Sequence, residues 1–296
     1  MRLLNASGCL DALTAPEVAR QLDVFVTKTV TPLARGGNPP PRIAEVEHGM
    51  LNSIGLANPG IERFLDETLP RLTELDLPLW VSVGGFSVDD YAELSRRLDD
   101  RREVEVIELN VSCPNVDEVP ANVGAIVAAA RDGTRKPLYA KLSPASADVG
   151  QVARAAEAAG ADGLSLVNTI RGLALDARTL RPKLDRAAGG LSGPALKPIA
   201  LAAVYACARA TSRPIVGMGG VWSGRDALEL LAAGARDVAV GTALFADPGA
   251  PARIRRELAD AAAEAGVASP DDAVGIAHAE QVRQPSPASA TPAATR

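Results

Sequence analysis

Val104-Glu-Val-Ile-Glu-Leu-Asn-Val-Ser-Cys-Pro-Asn115 is the stretch that decides how this chain folds. Val104 to Leu109 reads as a buried parallel strand, and the residues after it, Asn110 to Asn115, supply amides, a hydroxyl and a thiol. A strand that ends in such groups suits the mouth of an α/β barrel, where that architecture carries out its chemistry. Taken alone, Cys113-Pro114 is equally a tight turn with the thiol as a small core filler. The rest of the chain separates the two readings.

Outward from this segment, β-rich runs alternate with Ala/Leu/Arg/Glu-rich helical runs. The strands are expected at Leu3 to Ala6, Val24 to Val30, Leu79 to Gly84, Val104 to Val111, Leu138 to Leu142, Gly163 to Asn168, Pro214 to Gly217 and Asp237 to Gly241. Helices are expected at Ile61 to Leu75, Val88 to Asp100, Asn122 to Arg131, Ala147 to Ala159, Pro194 to Ala210 and Arg225 to Ala233. Eight right-handed βα units close a (β/α)₈ TIM barrel, placed here in one catalytic domain over residues 1–266. The alternative is a doubly wound open sheet, but no GxGxxG follows an early strand. Residues Thr31 to Gly60, rich in Pro, Gly and Asn, read as an insertion over the barrel mouth. Residues 267–296 form a C-terminal extension, expected to be disordered from about Gln284, where Pro, Ser, Ala and Thr dominate.

Composition narrows the function. The 296 residues carry a formal charge of −5, no basic block and only 3% aromatic residues, which argues against nucleic acid as a partner. No apolar run reaches the roughly 18 residues of a membrane span, and the N-terminus has no signal-peptide pattern. Three cysteines (Cys9, Cys113 and Cys207) without metal spacing fit a reducing cytoplasm. The two histidines, His48 and His278, form no ligand pair, which weighs against metal catalysis and His-dependent triads.

The strand ends carry the functional signal. They read Asn5-Ala-Ser-Gly8, Thr27-Lys28-Thr29, Ser82-Val-Gly-Gly85, Asn110 to Asn115, Lys141-Leu-Ser-Pro144, Asn168-Thr169, Gly217-Met-Gly-Gly220 and Gly241-Thr242. Asn5, Asn52, Asn110, Asn115 and Asn168 and two of five lysines fall at these ends or in the mouth insertion, more than turn chemistry alone accounts for. The glycines after the last two strands lie where barrels bind phosphate through backbone N–H groups, and Gly189-Gly-Leu-Ser-Gly193 is a further candidate nest. Lys28 and Lys141 would point toward the non-phosphate end, where a fixed ammonium stabilises the negative charge of a reduced flavin. The combination suggests FMN.

These motifs, together with Gly49-Met-Leu-Asn-Ser-Ile-Gly-Leu56 and Gly189-Gly-Leu-Ser-Gly-Pro194, resemble the class 1 dihydroorotate dehydrogenases from Leu4 to about Pro248. The wording of Gly37-Asn-Pro, Pro41-Arg42, Glu45 and Asn52 to Leu56 is most similar to the catalytic subunit of the two-subunit, NAD-linked class 1B. The resemblance implies an FMN-dependent oxidation of dihydroorotate to orotate in pyrimidine (UMP) biosynthesis. FMN contacts would come from Ser7, Lys28, Thr29, Asn110, Lys141, Val167, Gly193, Gly219, Gly220, Gly241 and Thr242. Orotate or dihydroorotate would be held by Lys28, Asn52, Ser53, Ile54, Gly55, Leu56, Asn110, Asn115, Asn168 and Thr169, whose asparagine amides match the ring's N–H and C=O edges. Cys113 would be the base that takes the C5 proton while hydride passes from C6 to flavin N5. A homodimer and a separate subunit carrying FAD and an iron–sulfur cluster are the implied partners. The chain departs from the family pattern in four places: the usual N-terminal hairpin is truncated, Ser82 stands where the family usually has Asn at the third strand end, Ala145 stands where an Asn usually follows Leu-Ser-Pro, and the stretch between Gly8 and Lys28 is shortened.

Three other functions fit part of this pattern. A dihydropyrimidine dehydrogenase-like oxidoreductase shares barrel, FMN and Cys base but usually carries His after Cys-Pro, where this chain has Asn115. An aldolase or isomerase would use the lysines without a flavin. A degenerate, non-catalytic FMN barrel subunit would bind the pyrimidine without turnover.

Overall fold

The computed structural model describes residues 1–111 and 123–279. Twelve strands are found among them: β1 (Leu3–Asn5), β2 (Phe25–Val26), β3 (Ile43–Val46), β4 (Gly49–Asn52), β5 (Leu79–Val83), β6 (Val104–Asn110), β7 (Leu138–Leu142), β8 (Gly163–Leu166), β9 (Ile170–Leu173), β10 (Ala188–Ser192), β11 (Ile215–Met218) and β12 (Asp237–Val240). Eight of them form one sheet in the order β1-β12-β11-β8-β7-β6-β5-β2, and the pairings are parallel. A parallel bridge between Leu4 and Val24 joins the two ends of that order. Asn5 completes the seam: its side-chain amide donates to Val26 O and accepts from Val26 N, both at 2.8 Å, so one side chain stands in for a peptide group. The fold is a (β/α)₈ barrel, with strands at the eight sequence-predicted places.

Period-two alternation sorts the strand residues into two cores. Leu3, Ile107, Leu109, Leu138 and Ala140 face the outer helices, where they join residues such as Leu94, Ile126 and Val204. Leu4, Val24, Val26, Trp80, Val106, Tyr139, Val216, Met218 and Ala239 fill the barrel interior. The Trp80 and Tyr139 rings lie 4.6 Å apart near the N-terminal ends of β5 and β7. Gly163 makes room for them, since a Cβ there would fall 2.3 Å from the Tyr139 ring. The Arg2 guanidinium covers Trp80 at 5.4 Å and is paired with Asp237 and Glu105. The barrel bottom is thus packed by side chains of the barrel itself.

The insertion between residues 31 and 60 folds into the β3–β4 hairpin, which joins β10 and β9 in an antiparallel four-stranded sheet, order β3-β4-β10-β9. Gly189 to Ser192 is therefore part of a strand rather than a free glycine loop. The expected helix over residues 61–75 is interrupted: a π-helical turn, Phe64–Thr68, separates Ile61–Arg63 from Leu69–Thr73, next to Pro70, which lacks a backbone donor. A helix absent from the sequence reading, Ala250–Glu264, packs Ile254 and Leu258 into the outer core. Beyond it, Ala273 is buried and His278 stacks on Tyr205 at 4.2 Å. The expectation of disorder from about residue 284 lies outside the described residues. No helix among the described residues is long and apolar enough to cross a membrane.

Candidate active site

The C-terminal ends of the barrel strands open into a cleft beside the four-stranded sheet. Ser7, Lys28, Thr29, Asn110, Lys141, Val167, Gly193, Gly219, Gly220, Gly241 and Thr242 all line it. So do Asn52, Ile54, Gly55, Leu56, Asn168 and Thr169. The sequence contributes these residues from almost every strand, and strand polarity alone gathers them at one end. Ser53 is turned away: its hydroxyl accepts from Asn38 Nδ2 at 2.9 Å and its backbone N–H donates to Arg42 O at 2.7 Å. Strand alternation explains this, because β4 sends Asn52 toward the cleft and its neighbour the other way. Cys113 and Asn115 lie outside the described residues.

A hydrogen-bonded row crosses the cleft floor. Asn168 Nδ2 donates to Asn110 Oδ1 at 3.1 Å, and Asn110 Nδ2 donates to Thr29 Oγ1 at 3.2 Å. Thr29 Oγ1 lies 3.1 Å from the buried Ser82 hydroxyl, and the Ser7 hydroxyl donates to Thr27 O at 2.8 Å. Because each amide is oriented by its neighbour, the row presents donors and acceptors in fixed directions. Tyr91 braces it from outside by donating to Asn110 O at 2.9 Å. Ser82 does not line the cleft; it supports Thr29 from below.

The cleft lining combines two kinds of group. Lys28 and Lys141 bring positive charge, and the neighbour of Lys141, Glu108, is fully buried on β6. Gly219, Gly220, Gly241 and Thr242 leave backbone exposed, and the Thr242 hydroxyl donates to Ser192 Oγ at 2.8 Å, tying the barrel to the covering sheet. Gly220 has φ +79, and a Cβ there would fall 2.7 Å from Lys197 N, so only glycine lets this turn pack on the start of the preceding helix, Lys197–Ala210. Cys9, which sequence reasoning did not place in the site, also lines the cleft, as do Met218, Trp222 and Phe245. Burial raises the Cys9 thiol above its ordinary value, while the ammonium groups of Lys141 and Lys28 pull it back. The signal for Cys9 was its position directly after Asn5-Ala-Ser-Gly8. Among the described residues no group of His, Cys, Asp and Glu could hold a metal ion.

The sequence model of the family described as dihydroorotate dehydrogenase matches residues 2–261. This chain belongs to the dihydroorotate dehydrogenase family. A Desulforudis audaxviator protein named "Dihydroorotate dehydrogenase B (NAD(+)), catalytic subunit" is 46% identical over 288 residues, 93% of each chain. A Solibacter usitatus protein with the provisional name dihydroorotate dehydrogenase A (fumarate) is 46% identical over 258 residues, 85% of each chain. A crystal structure of the Eimeria tenella DHODH in complex with ferulenol has a TM-score of 0.80 at 25% identity, covering 94% of this chain and 85% of that one. The family's enzymes are flavin-dependent oxidoreductases of pyrimidine biosynthesis, and this chain is an oxidoreductase of that kind.

Proposed function

We propose that this chain oxidises dihydroorotate to orotate with FMN as its resident cofactor. The observation that carries the reading is the lining of the cleft, which brings glycine-exposed backbone and two lysines into one pocket. A phosphate would be held by backbone N–H groups of Gly219, Gly220, Gly241 and Thr242, with Gly193. The flavin ring would lie against Ser7, Thr29, Asn110 and Val167, with Lys28 and Lys141 supplying positive charge. When bound, the flavin supplies the hydride acceptor.

The chain's own residues do the rest. Asn52, Ile54, Gly55, Leu56, Asn110, Asn168 and Thr169, with Lys28, would orient the pyrimidine ring through its amide edges; Asn115 and Ser53 belong to the same two segments. Cys113 would take the proton from C5 as a thiolate, which requires a lowered thiol pKa or a site closed around the substrate. The B-type catalytic-subunit name of the Desulforudis relative supports a partner subunit for electron transfer. We assign FAD and an iron–sulfur cluster to that subunit, and propose that the chain acts in the cytoplasm as a homodimer.

The test is the visible spectrum of the purified chain, followed by anaerobic addition of dihydroorotate. A yellow protein with one FMN per chain that bleaches supports the reading; a folded, colourless protein that cannot be reconstituted with FMN defeats it. Steady-state assays then separate acceptors. Slow turnover with both NAD and fumarate, relieved by a partner, fits the two-subunit reading, whereas rapid fumarate reduction by the chain alone removes it.

A further inference from the structure

Glu108 is a buried charge that none of the roles above uses. It lies on β6, two residues before Asn110 and two after Val106, so alternation points it into the barrel, just below the cleft floor. Its side chain is 1% exposed. Among the described residues its Oε1 accepts no hydrogen bond, and the charge facing it is Lys141 Nζ at 3.6 Å. Lys141 is buried as well and lines the cleft.

A buried ion pair is weak evidence for stability, because well-packed apolar side chains usually do as well in the same volume. A carboxylate in this layer therefore calls for a local reason. A lysine carries its charge on a long flexible stem, so where that charge sits depends on what holds the stem. Besides Glu108, Lys141 shares its surroundings with Lys28 and with the Cys9 thiol. We propose that Glu108 is a positioning residue acting through Lys141: it holds the ammonium directed at the floor of the cleft. The consequence for the flavin rests on the function proposed above, whereas the placement of Lys141 does not.

The sign of the effect separates this role from a simpler one. If Glu108 were only a negative charge near the flavin, removing it would raise the flavin midpoint potential, since a nearby anion opposes reduction. If it holds Lys141, removing it takes positive charge from the cleft and lowers the potential. The experiment compares wild type with E108Q, E108D, K141M and E108Q/K141M. In the FMN-loaded proteins, the potential should fall in E108Q, lie between wild type and E108Q in E108D, and be the same in K141M and the double variant. In the same chains stripped of FMN, Cys9 reports the charge independently. Its alkylation by iodoacetamide, followed by peptide mass, should slow several-fold in E108Q and K141M and no further when they are combined. A raised potential, faster Cys9 alkylation in E108Q, or additive effects in the double variant overturns the proposal. Failure of the wild type to bind FMN would remove the function proposed above, and the Cys9 measurement would still decide the role of Glu108. If E108Q does not fold, E108D against wild type carries the same signs.

Discussion

Replacing Gly220 with Ala isolates what the glycine-rich lining of the cleft requires. Gly220 has φ +79, where an L side chain costs roughly 1–2 kcal/mol. The added Cβ would also lie 2.6 Å from Lys197 Cβ, 2.7 Å from Lys197 N and 2.8 Å from Lys197 Cα. Lys197 opens the helix Lys197–Ala210, and its ammonium is held by Asp226 at 2.6 Å and Glu229 at 3.0 Å, so the helix start resists moving away. Overpacking of this kind adds about 1–3 kcal/mol. Gly266 supplies the control: its φ is +71, but a Cβ there would meet nothing within 4 Å. Gly266→Ala should therefore cost only the backbone term, about 1 kcal/mol, and Gly220→Ala about 2 kcal/mol more. At about 2–4 °C per kcal/mol, the two apparent melting midpoints of the FMN-free chain should differ by roughly 4–8 °C at one scan rate. FMN titration by fluorescence quenching should show affinity lost at least tenfold in Gly220→Ala and unchanged in Gly266→Ala. Equal thermal shifts in the two variants would refute the steric argument.

Further outcomes follow from other residues. Cys113→Ala should slow anaerobic flavin reduction by dihydroorotate about 10²- to 10⁴-fold while orotate affinity changes little; near-normal reduction would remove Cys113 from the reaction. Trp80→Ala, which empties the barrel bottom, should cost about 3–5 kcal/mol in urea unfolding, and a loss below about 1 kcal/mol would mean the bottom closes by other means. Burial pushes the Cys207 thiol up to about 12 from its ordinary 9.0, so the folded chain keeps it neutral at a pH where the unfolded chain ionises it. This contribution is intact below pH 9 and is lost as pH rises toward 12, so wild type should lose about 2 kcal/mol more than Cys207→Ala between pH 8 and pH 10.5. Parallel pH curves for the two proteins would contradict it.

The barrel was legible because its signals are local. Strand runs such as Leu138–Leu142 are short, apolar and bounded by turn residues, and parallel strand polarity then places whatever follows them at one mouth. That is why Lys28, Asn110, Lys141 and Asn168 could be assigned to a common cleft without coordinates. The covering sheet was not legible, because its strands find partners far away in sequence. Asn52 of β4 pairs with Gly190 of β10, and Ile43–Val46 is only half-buried, so neither carries a strong apolar pattern. The same blindness made Gly189 to Ser192 look like a nest and carried Ser53 along with its neighbours. How the barrel bottom is closed was also not legible in the sequence. Trp80, Tyr139 and Arg2 answer that from strands the sequence had already located, but only packing shows that the three meet.

The covering sheet lines the cleft from two strands at once. β4 carries Asn52, assigned above to the proposed pyrimidine site, its partner β10 runs into Gly193, assigned to the proposed phosphate site, and Ser192 accepts the hydrogen bond from Thr242. If the two proposed ligands both bias the position of this sheet, their affinities are coupled. By thermodynamic linkage, whatever factor the nucleotide adds to the grip on the pyrimidine, the pyrimidine returns to the nucleotide. The sheet then acts as a balance beam between two occupants, and loss of cofactor from this chain becomes a property of how much substrate surrounds it.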